Sequence, residues 1–210
     1  MKGFLAADTA AGYLTVIARN RNGRTAVSYL PDCAMNHSVM LLPTVEKTLQ
    51  DAGMGLSDCD FFSCVVGAGS FTGIRIGLAT VKGFCTAFSR PALPVTSFDA
   101  VAYTTGRTKT LALVPAGHEY YYAAGYDEGK GLLFPPAYLS REEAAALAKA
   151  EKYTIAGYAA LPFEGSLQAD MAAGLLAAIE GKGSDERNFV PSEGLQAVYV
   201  RRSQAEESHR

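Results

Sequence analysis

Apolar positions along the chain follow two spacings, one suited to strands and one to helices. Residues 4–7 and 13–19 are short apolar stretches joined by the turn-forming DTAAG at 8–12, which predicts two strands. Asn22-Gly23 marks a hairpin, with residues 25–30 as a third strand. Over 38–52 the spacing becomes helical. Leu42, Val45 and Leu49 define one face, Asn36 or Ser38 supplies the cap, and Gly53 supplies the stop. Pro43 fits the first turn, where a missing N–H costs little, and kinks the helix if it starts earlier. Residues 61–66 are apolar without interruption, the pattern of a strand buried on both faces. A glycine-rich turn follows, and then a second helix to about Phe88.

The same order recurs in the second half. Residues 111–114, 119–126 and 132–139 predict three strands, with Asp127 to Gly131 turning between the last two. Ser140-Arg-Glu-Glu143 is a capping box for an alanine-rich helix to about Ala150. A strand at 153–156 and a helix at 169–180 complete the unit. Each half therefore reads strand-strand-strand-helix-strand-helix, although the two share no visible sequence identity. The junction falls near Pro94 to Asp99. A polar, mobile loop is expected at 181–188, a weak strand at 197–200 and a charged tail after it.

Composition narrows the classes. With 210 residues and 49% apolar content, the chain builds a core without disulfides. A net charge of −2 argues against gripping nucleic acid alone through phosphate neutralisation. Cys33, Cys59, Cys64 and Cys85 have no CxxC spacing and read as buried, reduced thiols. Asp8 interrupts the short apolar start, so no signal peptide is read. No run reaches the roughly 20 apolar residues that span a bilayer. A soluble cytoplasmic protein is expected.

The stretch VVGAGSFTGIRIGLATVKGF at 65–84 has the shape of a phosphate loop, an apolar run entering a glycine-rich turn and leaving as a helix. A P-loop needs a Gly-Lys pair, and Ile74 and Arg75 follow Gly73 instead. A dinucleotide fingerprint needs glycine where Thr72 stands. Two readings remain. The helix N-terminus takes an anion, with Gly69, Ser70, Arg75 and the lobe-one acid Asp8 as candidate residues. Alternatively, the glycines only allow a sharp turn that Ser70 or Thr72 caps. Along the helix, Ile74, Leu78, Val81, Cys85 and Phe88 form an apolar stripe. Gly73, Gly77, Ala79, Thr80, Gly83 and Ala87 make the remainder small. Glycine costs about 1 kcal/mol relative to alanine inside a helix, so their number predicts close approach by another helix.

The segment GAGSFTGIRIGLATVKGF closely resembles the signature of the TsaB family, also called YeaZ, with Ala68 at its usual proline. FLAADTA at 4–10, NHSVMLLP at 36–43, LPVTSFDAVA at 93–102 and AVYVRR at 197–202 resemble further family segments in order. The likeness is strong over about residues 1–102 and thin beyond. It implies an α/β, two-lobed actin-like fold of the RNase H-like (ASKHA) group, each lobe βββαβα with a mixed sheet. One lobe spans 1–97, joined by a C-terminal segment at 190–210; the smaller lobe spans 98–189.

The resemblance also implies a noncatalytic scaffold that pairs with TsaD and TsaE. The complex transfers threonylcarbamoyl onto the adenosine beside the tRNA anticodon. ATP and metal belong to the partner subunits, tRNA is met only through the complex, and the chain alone forms a homodimer. The two helices form the pairing surface, which on this sequence comprises His37, Met40, Leu41, Thr44, Val45, Phe71, Thr72, Gly73, Ile76, Gly77, Thr80, Gly83 and Phe84.

The residues themselves test the rival chemistries. An actin-like kinase or ATPase places one acid in each lobe, but the second lobe reads Val114-Pro-Ala-Gly-His118 where its acid is expected. Asp8 either holds a metal-bound phosphate or caps a turn. A metallopeptidase site of His-x-x-x-His type fails because Leu41 follows His37 at that spacing. His118 lies in the other lobe and His209 in the tail. The tyrosines at 120–122 read as strand alternation, with outward rings available to a partner.

Overall fold

The computed structural model describes residues 1–200. Two five-stranded mixed sheets share one topology. In the first, β1 (Phe4–Asp8) pairs antiparallel with β2 (Leu14–Arg19), and β2 with β3 (Thr25–Leu30). On its other side β1 runs parallel to β4 (Phe61–Val65), and β4 to β5 (Ala92–Val95), giving the order β3-β2-β1-β4-β5. The second sheet repeats this with β6 (Thr110–Gly117) at its centre. Antiparallel β7 (Tyr120–Tyr126) and β8 (Leu132–Ser140) lie to one side; parallel β9 (Thr154–Gly157) and β10 (Leu167–Gln168) lie to the other.

Alternation along the central strands assigns their faces. Leu5, Ala7, Leu14 and Val16 point into a core with Leu41, Val45 and Leu49 of α1 (His37–Ala52) and Val81 and Cys85 of α2 (Phe71–Phe88). Phe4, Ala6, Ile17 and Phe61 point the other way, into a core shared with α3 (Ser97–Thr104) and α5 (Met171–Lys182). Ala112, Val114 and Ala124 of the second sheet meet the same pair of helices. The outer face of that sheet, with Leu111, Leu113 and Ile155, packs on α4 (Arg141–Glu151). The α3–α5 pair is thus enclosed between the two sheets, and lobe boundaries drawn from the sequence run through this shared layer.

That layer depends on a close helix approach. A methyl group at Gly174 of α5 would lie 1.9 Å from the carbonyl oxygen of Ala100 on α3. At the start of α3, Thr96 and Asp99 form a reciprocal capping box, with Thr96 N donating to Asp99 Oδ2 at 2.8 Å and Asp99 N to Thr96 Oγ1 at 3.0 Å.

Several expectations are corrected. Two elements that the sequence reading did not include, β5 and α3, occupy the region of the junction placed near 94–99. On α1 the inward residue is Leu41, while Leu42 is 56% exposed, so the buried stripe is Leu41, Val45 and Leu49. Asn36 precedes α1 without a side-chain cap bond, and Pro43 lies inside the helix. Residues 181–188 are folded rather than loose. Asn188 Nδ2 donates to Lys182 O at 2.8 Å, and residues Glu186–Asn188 form a 3-10 turn capped by Asp185. Residues 197–200 form no strand, yet Val198 N donates to Val66 O at 2.7 Å, and Leu195 is fully buried in the outer core of lobe one. The rest of AVYVRR, the charged tail and His209 lie outside the described residues.

Overpacking a closed contact typically costs 1–3 kcal/mol. Gly174→Ala is therefore expected to destabilise the fold by roughly 2–3 kcal/mol. Urea unfolding reads it; a midpoint equal to the parent's would mean that the α3–α5 approach is looser than described.

Candidate functional site

The turn between β1 and β2 is built around Asp8. Its Oδ1 accepts from Ala10 N at 2.8 Å and its Oδ2 from the Tyr13 hydroxyl at 2.9 Å, and the residue is fully buried. Burial raises the Asp8 pKa from the ordinary 3.8 to about 6, against the lowering effect of these two bonds and of nearby His37. The Tyr13 hydroxyl is pushed well above its usual range by burial and by the Asp8 charge. Asp8 is therefore a turn anchor with both oxygens engaged, closed off from solvent.

The rest of that turn docks on α2. Ser70 N donates to Ala10 O at 2.7 Å, and Thr9 Oγ1 donates to Gly73 O at 2.7 Å. Methyl groups at Gly69 and Gly73 would lie 2.1 and 2.0 Å from the carbonyl oxygens of Ala10 and Thr9, and one at Gly77 would lie 2.5 Å from Thr9 Oγ1. Gly69 has φ +153° and Gly67 φ +131°, conformations that side-chain-bearing residues rarely adopt. Three glycines of the motif thus admit close approach, as the sequence implied. What approaches is the β1–β2 turn of the same chain rather than another helix. Gly83 differs, since nothing lies within 4 Å of a methyl placed there.

Ser70 caps α2, its Oγ accepting from Gly73 N at 3.2 Å. Ser97 clamps the same turn from α3, its N donating to Gly67 O and its Oγ to Ala68 O, both at 2.6 Å. The signal for this clamp was visible at Thr96-Ser97, but spacing alone does not say which turn it grips.

A cleft of about 410 Å³ lies over this junction. The β1–β2 turn, the starts of α1 and α2, and Pro115 and Tyr158 of lobe two line it. Of the proposed anion residues, Gly69 and Ser70 reach the cleft and Asp8 does not. Arg75 turns away. Its guanidinium lies 3.7 Å from the centroid of the Phe71 ring, and its Nε donates to the Tyr199 hydroxyl at 3.2 Å. His37, which does line the cleft, is 5% exposed and bonds Tyr13 O through Nε2 at 2.9 Å. Among the described residues no three His, Cys, Asp or Glu side chains group as a metal site. All four cysteines are buried.

The predicted pairing residues divide by burial. His37, Leu41, Thr44, Val45, Gly73 and Gly77 are buried within lobe one, although His37 and Gly73 border the cleft. Phe71, Thr72 and Gly83 are exposed; Met40, Ile76, Thr80 and Phe84 are half-buried. Sequence reasoning missed the outward apolar residues of α1 and its approach, Met35, Val39 and Leu42, at 96%, 69% and 56% exposure. The tyrosine run alternates as read: Tyr121 packs on Phe163, and Tyr120 stacks on Tyr138 at 4.8 Å. In lobe two the 115–119 segment ends in a turn at His118 and Glu119, whose φ values are 49° and 62°.

Two sheets of matching order around a shared helical layer define a two-lobed actin-like α/β protein. The family model described as TsaD, tRNA N6-adenosine threonylcarbamoyltransferase, matches residues 30–180, and the chain belongs to that family, on its TsaB/YeaZ side. Curated proteins named tRNA threonylcarbamoyladenosine biosynthesis protein TsaB are similar to it. The Escherichia coli protein is 30% identical over 58% of this chain and 54% of its own length. The Bacillus subtilis protein is 33% identical over 47% of this chain and 42% of its own. The chain thus matches about half the length of these relatives. YeaZ from Pseudomonas aeruginosa superposes with a TM-score of 0.79 at 26% identity, over 95% of this chain and 100% of that one. Among the described residues, no helix is long and apolar enough to cross a membrane.

The glycine contacts predict opposite outcomes on one helix. Gly73→Ala is expected to destabilise by roughly 2–3 kcal/mol. Gly83→Ala is expected to stabilise by about 0.5–1 kcal/mol. Thermal unfolding of the two variants in parallel tests this, and equal shifts would refute the assigned contacts. For Asp8 the native pKa lies above the unfolded one, so the folded state holds a proton that the unfolded chain releases between about pH 4 and 6. Stability from this group is full below that window and is lost as pH rises through it. Asn at position 8 keeps an acceptor for Ala10 N and carries no charge. Asp8→Asn should flatten the decline from pH 4 to 7 by roughly 3 kcal/mol, read by denaturant titration at each pH.

Proposed function

We propose that the chain is a cytoplasmic, noncatalytic scaffold subunit that pairs with a TsaD-like protein, and through it with a TsaE-like protein and tRNA. It would support threonylcarbamoyl transfer onto the adenosine beside the anticodon. In this reading ATP and metal are held by the partner subunits, and the chain alone pairs with a second copy of itself. The observation that carries the reading is Gly83. It sits inside an 18-residue helix, exposed and touching nothing that a methyl would displace. Such a glycine costs about 1 kcal/mol relative to alanine with no return inside the chain. Exposed Ala79 and Ala87 lie one turn to either side, so the face is smooth enough for a second helix to settle on. Val39 and Leu42 on α1 add exposed apolar surface of the kind that marks an interface. Asp8, the acid a kinase or ATPase reading needs, is engaged as a turn anchor and lies away from the cleft lining.

Gly83→Arg tests the proposal without touching the lobe's own packing. The variant is expected to keep its melting temperature within a few degrees of the parent's. Its affinity for the TsaD-like partner should drop by at least about tenfold, or 1.4 kcal/mol, with threonylcarbamoyladenosine formation falling in the reconstituted reaction. Unchanged complex formation by gel filtration would remove this face from the pairing surface.

A further inference from the structure

The edge of a β-sheet exposes a row of unpaired N–H and C=O groups, and folded chains blunt it with proline, charge, shortness or a covering segment. Three of the four edges of the two sheets are blunted in this way. Ala92 of β5 exchanges two backbone hydrogen bonds with Val190, both at 2.8 Å. β8 carries Pro135 and Pro136, and β10 has only two residues. The fourth edge, β3, has none of these devices. Its sequence, Thr-Ala-Val-Ser-Tyr-Leu, holds no charge and no proline. β2 is its only strand neighbour, and among the described residues 25–30 make no backbone-to-backbone hydrogen bond outside that ladder. Two of its side chains are open as well, Val27 at 48% and Tyr29 at 52% exposure.

A second copy of the same strand fits this edge. Residues opposite each other in an antiparallel pair share a face, so a two-fold axis relating two identical strands passes through a residue rather than between two. With the axis at Ser28, Val27 of each copy lies opposite Tyr29 of the other, and Ala26 opposite Leu30. Symmetry forms each pair twice, and aromatic pairs with β-branched residues stabilise sheets. The same register sets Arg24 of one copy towards Asp32 of the other. Both residues are exposed, and neither forms an ion pair among the described residues. Moving the axis to Val27 sets Tyr29 against Thr25 and Arg24 against Leu30, so the aromatic match and the charge match are lost together. An uncharged strand with a cation before it and an anion after it is complementary to its own reverse.

We propose that β3 is a self-association edge, at which two copies of the chain add antiparallel and join their five-stranded sheets into one. The contact uses no residue of the α2 face at Gly83, on which the pairing reading rests. With both faces open the parent chain would associate beyond two copies.

The Gly83→Arg chain, with the helix face blocked, isolates this contact. Analytical ultracentrifugation is expected to show it exchanging between one copy and two as concentration changes. Hydrogen exchange at residues 25–30 should slow as concentration rises. Val27→Lys added to that chain should weaken the association at least about tenfold, because lysine on an edge strand opposes strand addition. Arg24→Asp puts like charges opposite each other at both ends and should weaken it about tenfold, and Asp32→Arg in the same chain should restore it. Both charged positions are exposed, so this pair of changes leaves the lobe's own packing alone. A Gly83→Arg chain that stays monomeric would overturn the β3 contact while leaving the pairing face standing. Association that Val27→Lys and Arg24→Asp both leave unchanged would overturn it too, as would a double charge reversal that fails to restore what Arg24→Asp removes.

Discussion

Docking of the β1–β2 turn onto the glycine face of α2 is the contact on which the rest of lobe one depends. The carbonyl oxygens of Thr9 and Ala10 sit where side chains at Gly73 and Gly69 would be. The turn can hold that position because Asp8 ties its own downstream backbone and the Tyr13 hydroxyl into one knot. Tyr13 in turn offers its carbonyl to His37, which fixes the start of α1 against the same turn. Ser97 grips the strand-to-helix turn from the shared layer. A single backbone approach thereby sets where two helices begin and where the cleft opens.

A buried carboxylate is a costly way to build such a knot. Removing Asp8 from water disfavours its charge more than its two donors favour it, which is why its pKa moves up rather than down. The arrangement persists because the alternatives are worse in that place. Without an acceptor, Ala10 N and the Tyr13 hydroxyl would both be buried and unpaired. Asp8 thus reads most simply as a structural group, even though it stands where an actin-like enzyme would carry an acid.

Much of this fold was legible in the sequence. Strong periodicity gave both βββαβα halves, and Ser140-Arg-Glu-Glu143 gave the start of α4 where the capping box indeed forms. The misses share a physical cause. Around the junction near 94–99 the elements β5 and α3 went unread because β5 has only four residues and α3 only eight, too few for periodicity to register. The Thr96–Asp99 capping pair was the available sign. On α1, Leu41 and Leu42 are adjacent, and which one faces inward depends on where the sheet lies rather than on spacing. The glycines of α2 announced a close approach correctly, but sequence cannot say whether a helix or a turn supplies it. The candidate site was less legible, since its defining feature, the bond from His37 to a carbonyl 24 residues away, has no local signature.

The placement of Arg75 decides what kind of cleft results. Had its guanidinium entered, full positive charge would dominate and almost any anion would be attracted. Instead Arg75 stacks on Phe71 and bonds Tyr199, which holds the returning C-terminal segment against the first turn of α2. The cleft is lined by the starts of two helices, with Ser38, Ser70 and Thr72 and the edge of His37, and by no Asp, Glu, Lys or Arg. The outward turn of a single arginine therefore does two things at once: it fastens the chain's last described segment to the start of α2, and it leaves the cleft lining without a charged side chain other than His37.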